Sequence, residues 1–147
     1  MDELNKLYIT SASIKKVDDL SIFEINFHPN TLDISPRNEY CLVVKLETKK
    51  FIRITIYPIF KNKILKLSFK GYDLERNDID RFSQEIKKFD IIHSTGLVAI
   101  KHILVFECYL NLNFEEEEYQ YLKTLLDKNK NKFEDIKLEE IILEINK

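Results

Sequence analysis

The side chains able to do chemistry are few and widely spaced. Histidine occurs at His28, His93 and His102, and cysteine at Cys41 and Cys108. His93 and His102 straddle a turn signal, so they can face each other across a hairpin, with Glu107 and Cys108 close by in sequence. A metal centre or a Cys–His nucleophile would draw on such a group. No pair has the i, i+4 or Cys-x-x-Cys spacing that preorganises ligands. Neighbours in a strand also point to opposite faces, which separates Glu107 from Cys108. No catalytic residue, metal or cofactor is therefore assigned. Each cysteine lies inside an apolar, strand-like run. Both read as small buried hydrophobes of a reducing compartment, bridged only if their strands are neighbours.

His93-Ser94-Thr95-Gly96 sets hydroxyls beside a glycine, but a phosphate loop needs several glycines and a helix directly after it. The run that follows, Leu97-Val98-Ala99-Ile100, reads as strand instead. Glu115, Glu116, Glu117 and Glu118 open a helix, where acids complement the dipole and face water; as a functional surface they would contact a basic partner.

Charge is more informative than any motif. The 147 residues carry a net −2, but the total divides as −3 over residues 1–39, +6 over 40–105 and −5 over 106–147. Residues 45–70 hold eight basic side chains and one acid, Glu47. Alternation within two apolar runs puts Ile52, Ile54 and Ile56 opposite Arg53 and Tyr57, and Leu65, Leu67 and Phe69 opposite Lys66 and Lys70. Read as one hairpin, with Ile56 beside Phe69 and Tyr57 beside Ser68, they expose Arg53, Tyr57, Lys66 and Lys70 on a shared face, Phe51 among them. Basic groups interleaved with aromatics suit an acidic protein or a nucleic acid. Solubility is the simplest account of the lysines. They outnumber arginine 19 to 4, and edge lysines discourage aggregation.

These side chains must be positioned by ordinary elements. Residues 1–19 read as irregular or a short N-terminal helix. Residues 20–27 alternate as a strand, stopped by His28-Pro29-Asn30 and followed by a loop at 35–38. Tyr40-Cys41-Leu42-Val43-Val44 is apolar on both sides, the mark of a covered strand. Ile79, Phe82, Ile86 and Phe89 form one helical stripe behind a cap at Asn77 or Asp78. Residues 91–100 read as a strand bulged at Gly96, and 102–113 as a second, with Leu104, Phe106, Cys108, Leu110 and Leu112 inward. Asn113 caps a helix carrying Leu122, Leu125 and Leu126, with Glu116 placed for a capping box. Leu138, Ile141, Ile142 and Ile145 give the last segment, residues 134–145, a helical spacing, so a helix is expected there, with a strand as the alternative.

The expected fold is α+β: an antiparallel sheet of about 5–6 strands with three helices packed on it. Residues 1–147 form a single domain, with the sheet and one helix in 20–112 and the C-terminal helices in 113–147. No apolar run approaches the roughly 20 residues of a membrane span, and the opening Met1-Asp2-Glu3 is not that of an export signal, so a cytoplasmic protein is expected. The function expected is a non-enzymatic protein-interaction module such as an adaptor, assembly subunit or inhibitor. A nucleic-acid-binding domain using the basic hairpin face is the alternative, and an enzyme with an unrecognised site the third.

Overall fold

A β-strand whose residues are apolar on alternate positions fixes a face, but its neighbours are chosen by what else must be covered. The computed structural model describes residues 9–17, 21–22, 25–26, 39–72, 75–133 and 135–144. Among them run β1 (Thr10–Lys16), β2 (Ser21–Ile22), β3 (Ile25–Asn26), β4 (Tyr40–Glu47), β5 (Ile52–Ile59), β6 (Lys63–Tyr72), α1 (Arg76–Ile86), β7 (Ile91–Ile100), β8 (Ile103–Leu110), α2 (Glu118–Asn129) and β9 (Asp135–Ile142). The strands form a three-stranded sheet in the order β1-β4-β5, a two-stranded ladder β2-β3, and a four-stranded sheet β7-β8-β6-β9. The chain divides into two compact units, one of residues 1–9 and 64–140, the other of residues 10–63 and 141–147. The expectation of one sheet of about 5–6 strands under three helices is thereby corrected: there are two main sheets and two helices among the described residues.

In the four-stranded unit, β6 and β8 pair antiparallel with Leu65 opposite Leu110, Leu67 opposite Cys108 and Phe69 opposite Phe106. These residues share one face, and the core forms there with Phe82 and Ile86 of α1, Leu122 and Leu125 of α2, and Phe133. The ring of Phe69 stacks on Phe106 at 4.7 Å between centroids and meets the edge of Phe82 at 4.9 Å. Ile79, Phe82 and Ile86 are buried as the helical stripe required, and Phe89 packs partly buried beside them. The helix starts earlier than its expected cap, behind Glu75, which makes no side-chain capping bond. α2 starts later: Asn113 Oδ1 accepts the Glu115 N–H at 3.0 Å and opens a turn ahead of the helix.

β7 carries the expected irregularity. Its register with β8 shifts between Ser94 and Leu97, and Gly96 sits at φ 68°, where glycine meets no Cβ penalty. Lys101 and His102, at φ 49° and 68°, form the tight turn into β8. The last segment is strand, not helix: β9 lies along β6, and Ile136 and Leu138 pack on the core. The helical spacing of its later residues competed with an equally good period of two over Ile136-Lys137-Leu138. The open edge of β6 decided between them.

In the other unit, β4 is central and Cys41, Leu42, Val43 and Val44 are all buried, as a strand apolar on both sides must be. Its neighbour β1 occupies the stretch expected to be irregular or helical, and Ile14 is fully buried there opposite Leu42. Along the far side of β1, Ile14 bridges Leu143 in parallel, and the Glu144 N–H donates to the Ile14 carbonyl at 2.9 Å. In place of one strand over residues 20–27, β2 and β3 pair with each other, Ser21 with Asn26 and Ile22 with Ile25. Phe23, Phe27, His28 and the turn and loop at 28–30 and 35–38 lie outside the described residues. No described helix is long and apolar enough to cross a membrane.

The expected β5–β6 hairpin is also corrected. β5 pairs with β4, placing Ile56 beside Val43 and Tyr57 beside Leu42, while β6 pairs with β8. A short connection links strands of different sheets, so short separation in sequence did not mean pairing.

Candidate functional site

The four residues singled out for binding are not brought together. Arg53 and Tyr57 stand on β5 in the three-stranded sheet, Arg53 exposed and Tyr57 half-buried. Lys66 and Lys70 stand on β6 in the other sheet and are only 4% and 1% exposed. β6 runs between β8 and β9, and residues 64–71 are buried without exception. A strand covered on both sides hides its polar positions along with its apolar ones.

Burial of a lysine requires a counter-charge, and β8 supplies it. Lys66 Nζ lies 3.4 Å from Glu107 Oε1, with the two side chains 5% and 0% exposed. The other carboxylate oxygen, Oε2, accepts the Ile9 N–H at 2.7 Å. Lys66 Nζ also sits 5.5 Å from the centre of the Tyr109 ring, its direct partner across the ladder. His93 of β7 is opposite Tyr109 at 6.0 Å between ring centres. Burial lowers the His93 pKa and the Glu107 carboxylate partly restores it, so the ring is held towards its neutral form. Sequence reasoning placed Lys66 in water and missed this cluster. The available signal was Glu107 itself, one acid in the middle of an otherwise apolar strand.

Chemically this cluster is closed. Its carboxylate is engaged on both oxygens and fully buried, so it offers no open face to a substrate. His102 lies in the exposed turn and does not face His93, so the pairing that their spacing allowed is not formed. Cys108 points into the apolar core while Glu107 occupies the opposite face, as alternation demands. Burial pushes the Cys108 thiol up to about 12. Burial likewise raises Cys41, against the opposing pull of Lys15. Both cysteines are free and buried, in separate sheets. Among the described residues no group of three or more His, Cys, Asp or Glu could hold a metal ion. The hydroxyls near Gly96 bind local backbone instead of an anion: Thr95 Oγ1 accepts the Glu107 N–H at 3.0 Å, and Ser94 Oγ accepts the Gly96 N–H at 3.1 Å.

The more open surface lies on β5, an edge strand with β4 on one side and no strand on the other among the described residues. Its hydrogen-bonding phase follows from the turn before it. The Thr48 N–H donates to the Phe51 carbonyl at 2.9 Å, and Thr48 Oγ1 accepts the Phe51 N–H at 3.1 Å. In an antiparallel ladder bonded pairs alternate. Residues 53, 55 and 57 therefore turn their backbone groups towards β4, and 52, 54, 56 and 58 turn theirs outward. Pro58, which has no N–H, falls on an outward position and costs the ladder nothing.

The side chains of this strand are unevenly covered. Ile54 and Ile56 are half-buried on Cys41 and Val43, and Ile52 is 50% exposed. The three isoleucines expected to face the core thus line the more open face of the sheet. The better-buried face carries Ile14, Leu42 and Val44. Phe51 is 47% exposed with the Arg53 guanidinium 5.4 Å from its ring centre. Lys45, Lys49 and Lys50 are exposed around it, and the local acid, Glu47, is paired with Lys45 at 3.4 Å. In the other unit, an open groove of about 700 Å³ between the helices is lined by Phe89, Tyr121 and Leu125 with charges of both signs. No family model matches the chain, and no curated protein or solved structure matches it.

Proposed function

We propose that the protein is a non-catalytic interaction module of the cytoplasm, of the adaptor, assembly-subunit or inhibitor kind, and that it presents the β5 edge to an acidic protein partner. The observation carrying this reading is the coincidence of three properties on one short stretch: a strand edge open among the described residues, half-exposed Phe51 and Ile52, and a rim of Lys49, Lys50 and Arg53. Edge strands with exposed apolar groups are a liability unless covered, and cations alone would be enough to blunt them. The nucleic-acid alternative is less well supported, because Lys66 and Lys70, two of the cations it relies on, are buried.

The test is capture of partners by the tagged protein from native lysate, compared with the triple charge reversal Lys49→Glu, Lys50→Glu, Arg53→Glu. All three side chains are exposed, so each change should alter stability by only about 0.5 kcal/mol. The expected result is a stoichiometric protein complex that the reversal abolishes. A complex indifferent to the reversal would move the site elsewhere; recovery of nucleic acid in its place would favour the alternative.

A further inference from the structure

Resting on that reading, we infer that the partner is engaged by strand addition: an extended segment alternating acidic with apolar residues pairs with β5 through its backbone. The phase derived above leaves the N–H and C=O groups of Ile52, Ile54 and Ile56 directed away from β4. Three outward amides at alternate positions form a ready ladder for one more strand. Pro58 occupies the next outward position and has no N–H, so that ladder ends after Ile56 and the added strand is short.

The chemistry of the occupant follows from what flanks the edge. A strand laid beside β5 sends alternate side chains to the two faces of the sheet. On one face its neighbours are Ile52, Ile54 and Ile56, which call for apolar groups. On the other they are Arg53, Thr55 and Tyr57, which call for a carboxylate at Arg53 and tolerate polar groups beyond. Lys49 and Lys50 in the adjoining turn extend the same preference. A second copy of this chain would bring its own cationic edge, which argues against self-pairing.

The probe is a synthetic peptide alternating glutamate and valine, with a lysine–valine peptide as control, titrated by fluorescence anisotropy. Binding of the acidic peptide alone, weakening with salt, is expected. Ile54→Pro removes one outward amide and leaves the bonds to β4 in place, as Pro58 already does. It should weaken the peptide at least about tenfold, a little over one hydrogen bond's worth, whereas Ile54→Val should not. Unchanged hydrogen-exchange protection of the Thr55 and Tyr57 amides verifies that the sheet is intact in the proline variant. Equal binding by Ile54→Pro, or no binding of the acidic peptide by the unaltered protein, overturns strand addition. So does a dimer in sedimentation that Ile54→Pro dissociates, since the occupant would then be a second copy. None of these outcomes touches the charge-reversal capture experiment, so a native complex lost on reversal but kept with Ile54→Pro would retain the interaction reading and reject this mode.

Discussion

Replacing Glu107 by Gln keeps the shape of the side chain and an acceptor for the Ile9 N–H, but removes the carboxylate 3.4 Å from Lys66 Nζ. Both groups are at most 5% exposed, so water cannot take over the role of counter-charge. Breaking a buried pair from one side costs about 3–5 kcal/mol, because the surviving charge stays desolvated. Domains are stable by only about 5–15 kcal/mol. At roughly 2–4 °C per kcal/mol for a chain of this size, the midpoint should fall by roughly 6–20 °C. Adding Lys66→Met to Glu107→Gln removes both charges and leaves the Ile9 contact. This double variant should return to within about 1 kcal/mol of the parent, since apolar replacements of buried pairs are often neutral. The assay is urea unfolding of the parent, the single and the double variant, followed by circular dichroism, with exchange of the Ile9 amide as the local readout. A Glu107→Gln variant losing less than about 1 kcal/mol, or a double variant as weak as the single, would show that the pair is not electrostatically isolated as described.

Truncating Phe82 to Ala, at 1% exposure between Phe69 and Phe133, should cost about 3–5 kcal/mol in the same assay, and a near-neutral result would contradict its place in the core. Native protein should react slowly with thiol reagents at both Cys41 and Cys108, in contrast to rapid labelling after denaturation. The Cys108 thiol, at about 12 when folded against 9.0 unfolded, should weaken the fold as pH rises from 9 towards 12: there the unfolded chain ionises first. Cys108→Ala should flatten that alkaline slope. His93 has the opposite sense: its folded pKa lies below 6.5, so stability present above pH 6.5 is lost as pH falls below it. His93→Gln should reduce the acid-side loss, and an unchanged pH profile would mean that the ring is not shielded.

The features legible in the sequence were those set by a local period. The α1 stripe, the doubly apolar β4 and the bulge at Gly96 each follow from side-chain spacing or a single backbone requirement, and each is present. What alternation does not encode is partnership. Ile52, Ile54 and Ile56 were correctly set on one side of β5, but which side of the sheet is better covered depends on β1 and β4 and not on β5 itself. Lys66 and Lys70 read as solvent-facing because a half-buried strand and a fully buried one alternate alike. Only Glu107, on a strand some forty residues later, distinguishes the two cases for Lys66. The terminal segment reads as a helix, with strand second, for a related reason. A segment rich in isoleucine takes the form offered by its surroundings, and here those were the edge of β6.

The bridge between Ile14 and Leu143 has a consequence for the order in which the molecule can form. The groups that close the outer side of β1, Leu143 and Glu144, follow it only about 130 residues later in the chain. Until residue 144 has left the ribosome, that side of β1 stays available to any passing strand. Loop closure over so long a separation is entropically slow. Completion of the smaller unit must therefore wait for residues 141–144, and chains stalled before residue 141 should be the ones that chaperones hold and proteases remove.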